Sequence, residues 1–317
     1  MIGGVNLARL RPLWCGVIAA VAVVGGAACT ASRVPPPDRP VFVGSSASST
    51  PAGVPSGDAS SEVPSTGVSP AVPPSTVSSP PVVATVPGAT PIGARAPVVD
   101  HGPRTGATVA LTFDADMTDG MLASLRAGRV KSYANLRILD LLEREQVPAT
   151  FFLTGKWVKR YPDVTRRIAG NPRFELANHT YGHAAFTADC YDLPRLPVDE
   201  LAGDVAKTFE VIAPYGGRQT RYFRFPGLCH DAAALDALAP LGVTVVDGDV
   251  VSGDPFATAW KPLVRAVLDH VRPGSVVIMH VTEANAAMTD EALPHILAGL
   301  RERGLVPAPL SEVLAEG

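Results

Sequence analysis

The sequence predicts an α/β fold, a mainly parallel sheet or barrel of strands wrapped by helices. Three observations carry that expectation. From about residue 105, short apolar runs alternate with helix-patterned stretches roughly every 25–30 residues, as in strand–helix–strand units. Pro and Ser crowd the region before it, so the 317-residue chain reads as one folded domain on a long tether. Asp114, Asp116, His179, Asp249 and His280 all stand at or just past the ends of expected strands, where sites form in such barrels.

Residues 1–29 read as an export signal. Arg9 and Arg11 supply the positive start, residues 13–24 the apolar run, and Gly25-Gly26-Ala27-Ala28 the small residues before Cys29. The run over 13–28 is shorter than the roughly 18–20 residues of a membrane span. A cysteine directly after small residues resembles a bacterial lipobox. Cys29 would then be the lipidated first residue of an exported membrane lipoprotein facing the cell wall, with simple cleavage and secretion as the alternative. Residues 30–104 are the linker. Pro35-Pro36-Pro37, Pro73-Pro74 and Pro80-Pro81 forbid regular hydrogen-bonded structure, and few large side chains are available to bury. At ~3 Å per residue such a disordered, semi-extended spacer holds a domain well away from a membrane.

Residues 105–317 form the folded domain. Strands are expected at 109–113, 149–153, 174–178, 222–225, 243–247, 276–279 and 305–306. Between them lie helical stretches at 136–142, 155–168, 198–212, 232–241, 262–271 and 291–303, and 310–314 closes the chain. Asp119 reads as a turn residue before Gly120. Lys+Arg number 27 against Asp+Glu 30, a net charge of -3 that gives no electrostatic reason for a nucleic-acid partner.

The chemistry concentrates in Asn178-His179-Thr180-Tyr181-Gly182-His183. Two imidazoles four positions apart can face one point, and neutral imidazole is the commonest protein metal ligand. A carboxylate from Thr112-Phe113-Asp114-Ala115-Asp116 would complete the set. Period-two alternation puts Asp114 and Asp116 on the same side of an extended strand. Such a site polarises a carbonyl and lowers the pKa of water toward ~7. Lone histidines such as His101, His270 and His295 read as surface or core filling. His230, beside Asp231, reads the same way.

These two segments, with Phe223-Arg224-Phe225-Pro226-Gly227, the stretch from Asp249 to Asp254, and Ile278-Met279-His280, stand in the order of one family. Over roughly residues 107–315 the chain resembles the polysaccharide deacetylase domain (NodB homology, carbohydrate esterase family 4). The resemblance implies a distorted (β/α) barrel of seven or eight mainly parallel strands. It also implies one divalent metal, usually zinc, with cobalt or nickel as substitutes. The implied reaction is hydrolysis of an acetyl group on a glycan. Carried over by motif, Asp116, His179 and His183 hold the metal and Asp114 is the base, with the exchange of Asp114 and Asp116 left open. His280 is the acid, Arg224 orients the base, and Asp254 tunes the acid. Pro226, Gly227 and Asp249 fall on the substrate side.

The chain departs from the pattern at three places. Ala115 stands where the family commonly has a second aspartate, Phe225-Pro226-Gly227 replaces Pro-Tyr-Gly, and Pro255 replaces a tryptophan. The cleft wall must therefore be built differently. Cys190 and Cys229 follow the histidine and arginine motifs and are expected to pair in an oxidising compartment, two buried thiols being the alternative. The expected activity is deacetylation of peptidoglycan by a monomer anchored to the membrane. Chitin oligomers or acetylated xylan are other substrates, and an inactive glycan-binding lipoprotein is the reading from a different class.

Overall fold

The structure, a computed structural model, describes residues 95–315. The export signal, Cys29 and most of the linker lie outside the described residues. Strands β1 (Val98–Val99), β2 (Thr108–Ala115), β3 (Ala149–Leu153), β4 (Phe174–Asn178) and β5 (Arg218–Phe223) are followed by β6 (Thr244–Val246), β7 (Val250–Val251), β8 (Val276–His280) and β9 (Val306–Ala308). The hydrogen-bonded path runs β1-β6-β5-β4-β3-β2-β8-β7, with β9 added to β2, and every pairing is parallel.

Segment 244–251 draws this path into a barrel. Its first half, β6, pairs with β5, and its second half, β7, pairs with β8. One bent stretch of chain thus serves both edges. The bend falls at Gly248, with φ +75°, where an added Cβ would lie 2.9 Å from the Ile278 side chain and 3.0 Å from the Val276 carbonyl oxygen. Only glycine fits there without displacing the neighbouring strand.

Period two along each strand divides the residues between two layers. Val109, Leu111, Phe113 and Ala115 of β2 face outward into the main core, with Phe151 of β3, Leu176 of β4 and Met279 of β8. Ala110, Phe152, Ala177, Tyr222, Val246 and Val276 face inward. The lower end of the interior is filled by Leu310 and Val313 of the last helix. That leaves the strands' C-terminal end as the open one.

The helices cover the outside. Helix α1 (Asp119–Arg126) starts at a Thr118 cap, and α2 (Leu136–Arg144) buries Ile138, Leu139, Leu141 and Leu142 behind an Asn135 cap. The stretch expected as one helix over 155–168 is two, α3 (Gly155–Arg160) and α4 (Pro162–Gly170). Pro162 cannot donate within a continuing helix, so it opens the second one instead. Next come α5 (Leu201–Ile212), α6 (Ala232–Leu238), α7 (Trp260–Leu268), α8 (Thr289–Glu302) and α9 (Leu310–Ala315). Two further expectations are corrected. Asp119 is the first residue of α1 rather than a turn residue, its helix licensed by the Thr118 side chain accepting from the Met121 amide. The ordered domain also begins before residue 105, because Ala96 is buried and β1 pairs with β6.

Candidate active site and metal centre

Strand register sets the heights of the functional groups. Asp114 on β2 is the direct partner of His280 on β8. Leu153, Asn178 and Phe223 align across β3, β4 and β5, so His179 and Arg224 emerge together one residue later. Inward alternation then points Thr112, Asp114 and Arg224 into the open end of the barrel.

Asp116, His179 and His183 converge so that their ligand atoms all lie within 4.8 Å of one another. Asp116 Oδ1 is 3.5 Å from His179 Nε2 and 3.3 Å from His183 Nε2. His179 Nδ1 lies 2.8 Å from the Arg224 carbonyl oxygen, which can only accept, so the proton sits on Nδ1 and Nε2 presents its lone pair. Asp116 Oδ1 and His179 Nε2 are buried without a hydrogen-bond partner. Two such orphaned acceptors facing one point suit a cation, so the residues present fit a metal. Burial alone would push the Asp116 carboxyl up. The nearby His183 and His280 imidazoles outweigh it and hold the group well below the usual carboxylate range.

The two carboxylates are separated by what surrounds them. Asp114 Oδ1 accepts a 2.6 Å hydrogen bond from Arg224 Nη1, while its Oδ2 stays 3.8 Å from His179 Nε2. Arg224 is fully buried and fixed in turn: Nη1 reaches Thr112 Oγ1 at 3.0 Å, Nε donates to the Val246 carbonyl at 3.0 Å, and the guanidinium stacks on Phe152. Arg224 thereby orients Asp114, whereas Asp116 belongs to the candidate ligand cluster.

Across from them, His280 Nδ1 lies 2.8 Å from Asp254 Oδ1, and its Nε2 lies 3.8 Å from Asp116 Oδ2. Asp254 is saturated, its oxygens also accepting from the His280 amide, Ser252 Oγ and Thr289 Oγ1. Burial would lower the His280 pKa, but Asp254, Asp116 and Asp114 outweigh it and raise the imidazole to about 10. The ring is therefore an imidazolium at neutral pH.

The loop bearing the two histidines is clamped from both sides. The Gly155 and Lys156 amides of α3 donate to the Thr180 and Tyr181 carbonyls at 3.1 and 2.8 Å. From α5, Asp204 Oδ1 accepts from the Tyr181 amide at 2.6 Å, and Val205 O accepts from Asn178 Nδ2 at 2.9 Å. Thr180 and His183 both adopt positive φ, +68° and +57°, and Thr180 Oγ1 accepts from the His183 amide at 3.0 Å. Residues of this conformation persist where the surroundings over-determine them.

On the same rim, Pro226 and Gly227 lie in a short 3₁₀ turn after β5. Cys190 and Cys229 are joined by a disulfide. A Cβ on Gly227, with φ +62°, would lie 2.8 Å from both Cys190 Sγ and the Tyr191 ring, so glycine permits the close approach. Asp249 is not on this rim, which corrects its expected place on the substrate side. Its carboxylate accepts from the Val276 amide, Ser275 Oγ and Arg104, at the N-terminal end of β8 and away from His280. The residue was expected past a strand end, but the chain continues there as the bent 244–251 segment. Asp204 and Thr289 support the site without a motif to announce them, and Thr112 and Ser252 do so from within two of the ordered segments. Of these, Thr112 was readable from its alternation with Asp114. His230 pairs with Asp247 at 2.8 Å and lies against Phe225, steadying the turn that carries Gly227.

The family model described as polysaccharide deacetylase matches residues 101–246. A chitooligosaccharide deacetylase of Rhizobium leguminosarum bv. trifolii is 30% identical over 169 residues, 53% of this chain and 73% of that protein. A peptidoglycan-N-acetylglucosamine deacetylase of Bacillus cereus is 28% identical over 204 residues, 64% of this chain and 66% of that protein. The chain spans 53% of an uncharacterized Bacillus subtilis relative. Among solved structures, a CE4 family pseudoenzyme from Bacillus anthracis is similar, with a TM-score of 0.55, 25% identity and 69% of each chain covered. Fold, ordered motifs and relatives agree that the chain belongs to the polysaccharide deacetylase family, carbohydrate esterase family 4.

Proposed function

We propose that this chain is a metal-dependent deacetylase that removes N-acetyl groups from a cell-envelope glycan, peptidoglycan, and releases acetate. One observation carries the reading. An oriented carboxylate, Asp114, and an oriented imidazole, His280, flank one ligand cluster, each within 3.8 Å of a ligand atom. Amide hydrolysis needs that arrangement, a base for the water and an acid for the amine.

Asp116, His179 and His183 would hold the ion, zinc by its preference for imidazole and carboxylate donors. When bound, it supplies Lewis-acid polarisation of the acetyl carbonyl and a lowered pKa for water. Asp114 Oδ2 takes the proton of the attacking water while Arg224 keeps Oδ1 engaged. As the carbon–nitrogen bond breaks, His280 Nε2 gives its proton to the departing amine, and Asp254 holds the ring by Nδ1 throughout. Acetate and a free amino sugar leave. The choice of peptidoglycan draws support from the Bacillus cereus relative and from the export signal, Cys29 lipobox and tether read in the sequence. On this reading the protein is an exported membrane lipoprotein beside the wall, acting as a monomer. The likeness to a pseudoenzyme favours a non-catalytic, glycan-binding reading. Against it stands a base, an acid, three ligands and both orienting residues, all in place.

The test is acetate release by the full-length chain from peptidoglycan and N-acetylglucosamine oligomers, with chelator and with Zn²⁺ restored. Release should be chelator-sensitive and fall at least about 100-fold in Asp114→Asn and in Asp116→Ala. Asp114→Asn should still bind metal and Asp116→Ala should not. A folded, zinc-loaded protein that releases nothing from any glycan would overturn catalysis in favour of binding.

A further inference from the structure

The two most exposed large apolar side chains of the described residues are Phe256, at 77%, and Tyr191, at 71%. They come from loops far apart in sequence, yet their ring centroids stand 6.3 Å apart with planes tilted by 34°. Contiguous exposed apolar surface can mark a binding site. Each ring belongs to a segment that adjoins a candidate site residue. Phe256 ends the 3₁₀ turn that begins with Asp254, the residue holding His280. Tyr191 follows the cross-linked Cys190, and its ring lies against Gly227.

Tyr191 is also held up at a conformational cost. Tyr191 and Asp192 have φ of +51° and +56°, and the Leu193 amide closes the turn on the Cys190 carbonyl at 3.0 Å. This is the turn type that favours Asn and Gly at both central positions. A tyrosine there is strained, and the ring it displays gains no burial in return. Strain of this kind is a pointer to function.

We propose that Tyr191 and Phe256 form a stacking platform for a pyranose ring of the glycan, the sugar next to the one losing its acetyl group. The apolar C–H face of a pyranose complements the electron-rich face of an aromatic ring, and the Tyr191 hydroxyl can bond the sugar's edge. The platform takes the place of the cleft wall that the family's usual tyrosine and tryptophan would supply, since Pro226 and Pro255 cannot. This inference rests on the deacetylase reading for its substrate class, but direct titration tests it without turnover.

The probe is the N-acetylglucosamine pentamer compared with the dimer, on the zinc-loaded full chain. Tyr191→Ala and Phe256→Ala should each raise KM for the pentamer about tenfold, and the dimer much less. Direct titration should show the same loss of pentamer affinity. Val306→Ser, an exposed apolar residue at the other end of β2, should change neither. Tyr191→Gly separates the platform from a structural role. It should raise Tm by about 2–4 °C by relieving the turn while still losing pentamer affinity. If the double Ala variant keeps pentamer KM and affinity, the platform is wrong while the deacetylase stands. If the wild type releases no acetate, titration still decides: pentamer binding lost in the double variant supports the platform, and binding kept, or absent in the wild type, overturns it.

Discussion

On one side of the rim, the His179–His183 loop is held by hydrogen bonds to β3, α3 and α5, and the candidate ligands are buried. On the other side, Tyr191, Gly227 and Phe256 stand on loops held by a disulfide, left-handed turns and a His–Asp pair. The first side is tied by short hydrogen bonds to rigid elements, which fixes positions to fractions of an ångström, as acid, base and ligands require. The second is tied by covalent and packing constraints that leave rings in water, which suits recognition of a polymer. The difference predicts that the proposed chemistry and the proposed substrate contact can be altered separately. Three measurements sharpen or break that division.

The largest effect belongs to His280, the proposed acid. His280→Gln keeps a polar group of similar length but cannot deliver a proton, so acetate release should fall by about 10²–10⁴-fold with metal affinity little changed. The same residue gives a pH signature in metal-free protein. Its folded pKa, about 10, is raised above the unfolded value near 6.5. Its stabilising contribution is therefore complete below about pH 6.5 and is lost as pH rises through about 10. Urea midpoints of chelated protein should decline across that window, and His280→Gln should flatten the decline. An unchanged slope in the variant would show that the pairing with Asp254 does not stabilise the fold.

The next effect is smaller and tests the clamp. Asp204 touches no reacting group; it accepts the Tyr181 amide between the two histidine ligands at 2.6 Å. Asp204→Ala should weaken Zn²⁺ binding by about 10–100-fold in chelator competition, the usual cost of losing a group that orients metal ligands. Amide exchange at Tyr181 should quicken in metal-free protein. Asp204→Asn keeps an acceptor oxygen and should restore most of the affinity. Equal losses in Ala and Asn would mean that charge rather than the hydrogen bond matters.

The same division decides what was legible in the sequence. Asp114, Asp116 and His280 were readable because strand alternation and strand ends are local properties of the chain. His179 and His183 carried their own spacing. Arg224 was readable through its motif, though its three anchors come from β2 and the end of β6, which no local pattern reveals. Asp249 was misplaced because a run of valines interrupted by Asp247-Gly248-Asp249 reads as a strand and its loop, whereas the chain bends at Gly248 and continues. Asp204 lies on the helix-patterned stretch with nothing to mark it. Tyr191 and Phe256 were invisible for a related reason: each is an ordinary loop aromatic until tertiary packing brings the two rings together.

The smallest effect on the chemistry should come from the disulfide, and it tests the division most directly. Cys190–Cys229 closes a loop of sequence separation 39. In the chain-entropy account, closing a loop of that length stabilises the fold by roughly 4 kcal/mol. The Cys190→Ala, Cys229→Ala double variant should therefore lose stability to urea by up to about that amount. The bridge also carries Tyr191 and packs on Gly227, so its removal should raise KM for long oligomers. Zn²⁺ affinity should stay at the wild-type value, because the histidine loop is held by α3 and α5 and by no atom of the bridge. A fall in Zn²⁺ affinity as large as that of Asp204→Ala would break the comparison. The bridge would then be part of the metal centre's support, and the two sides of the rim a single mechanical unit.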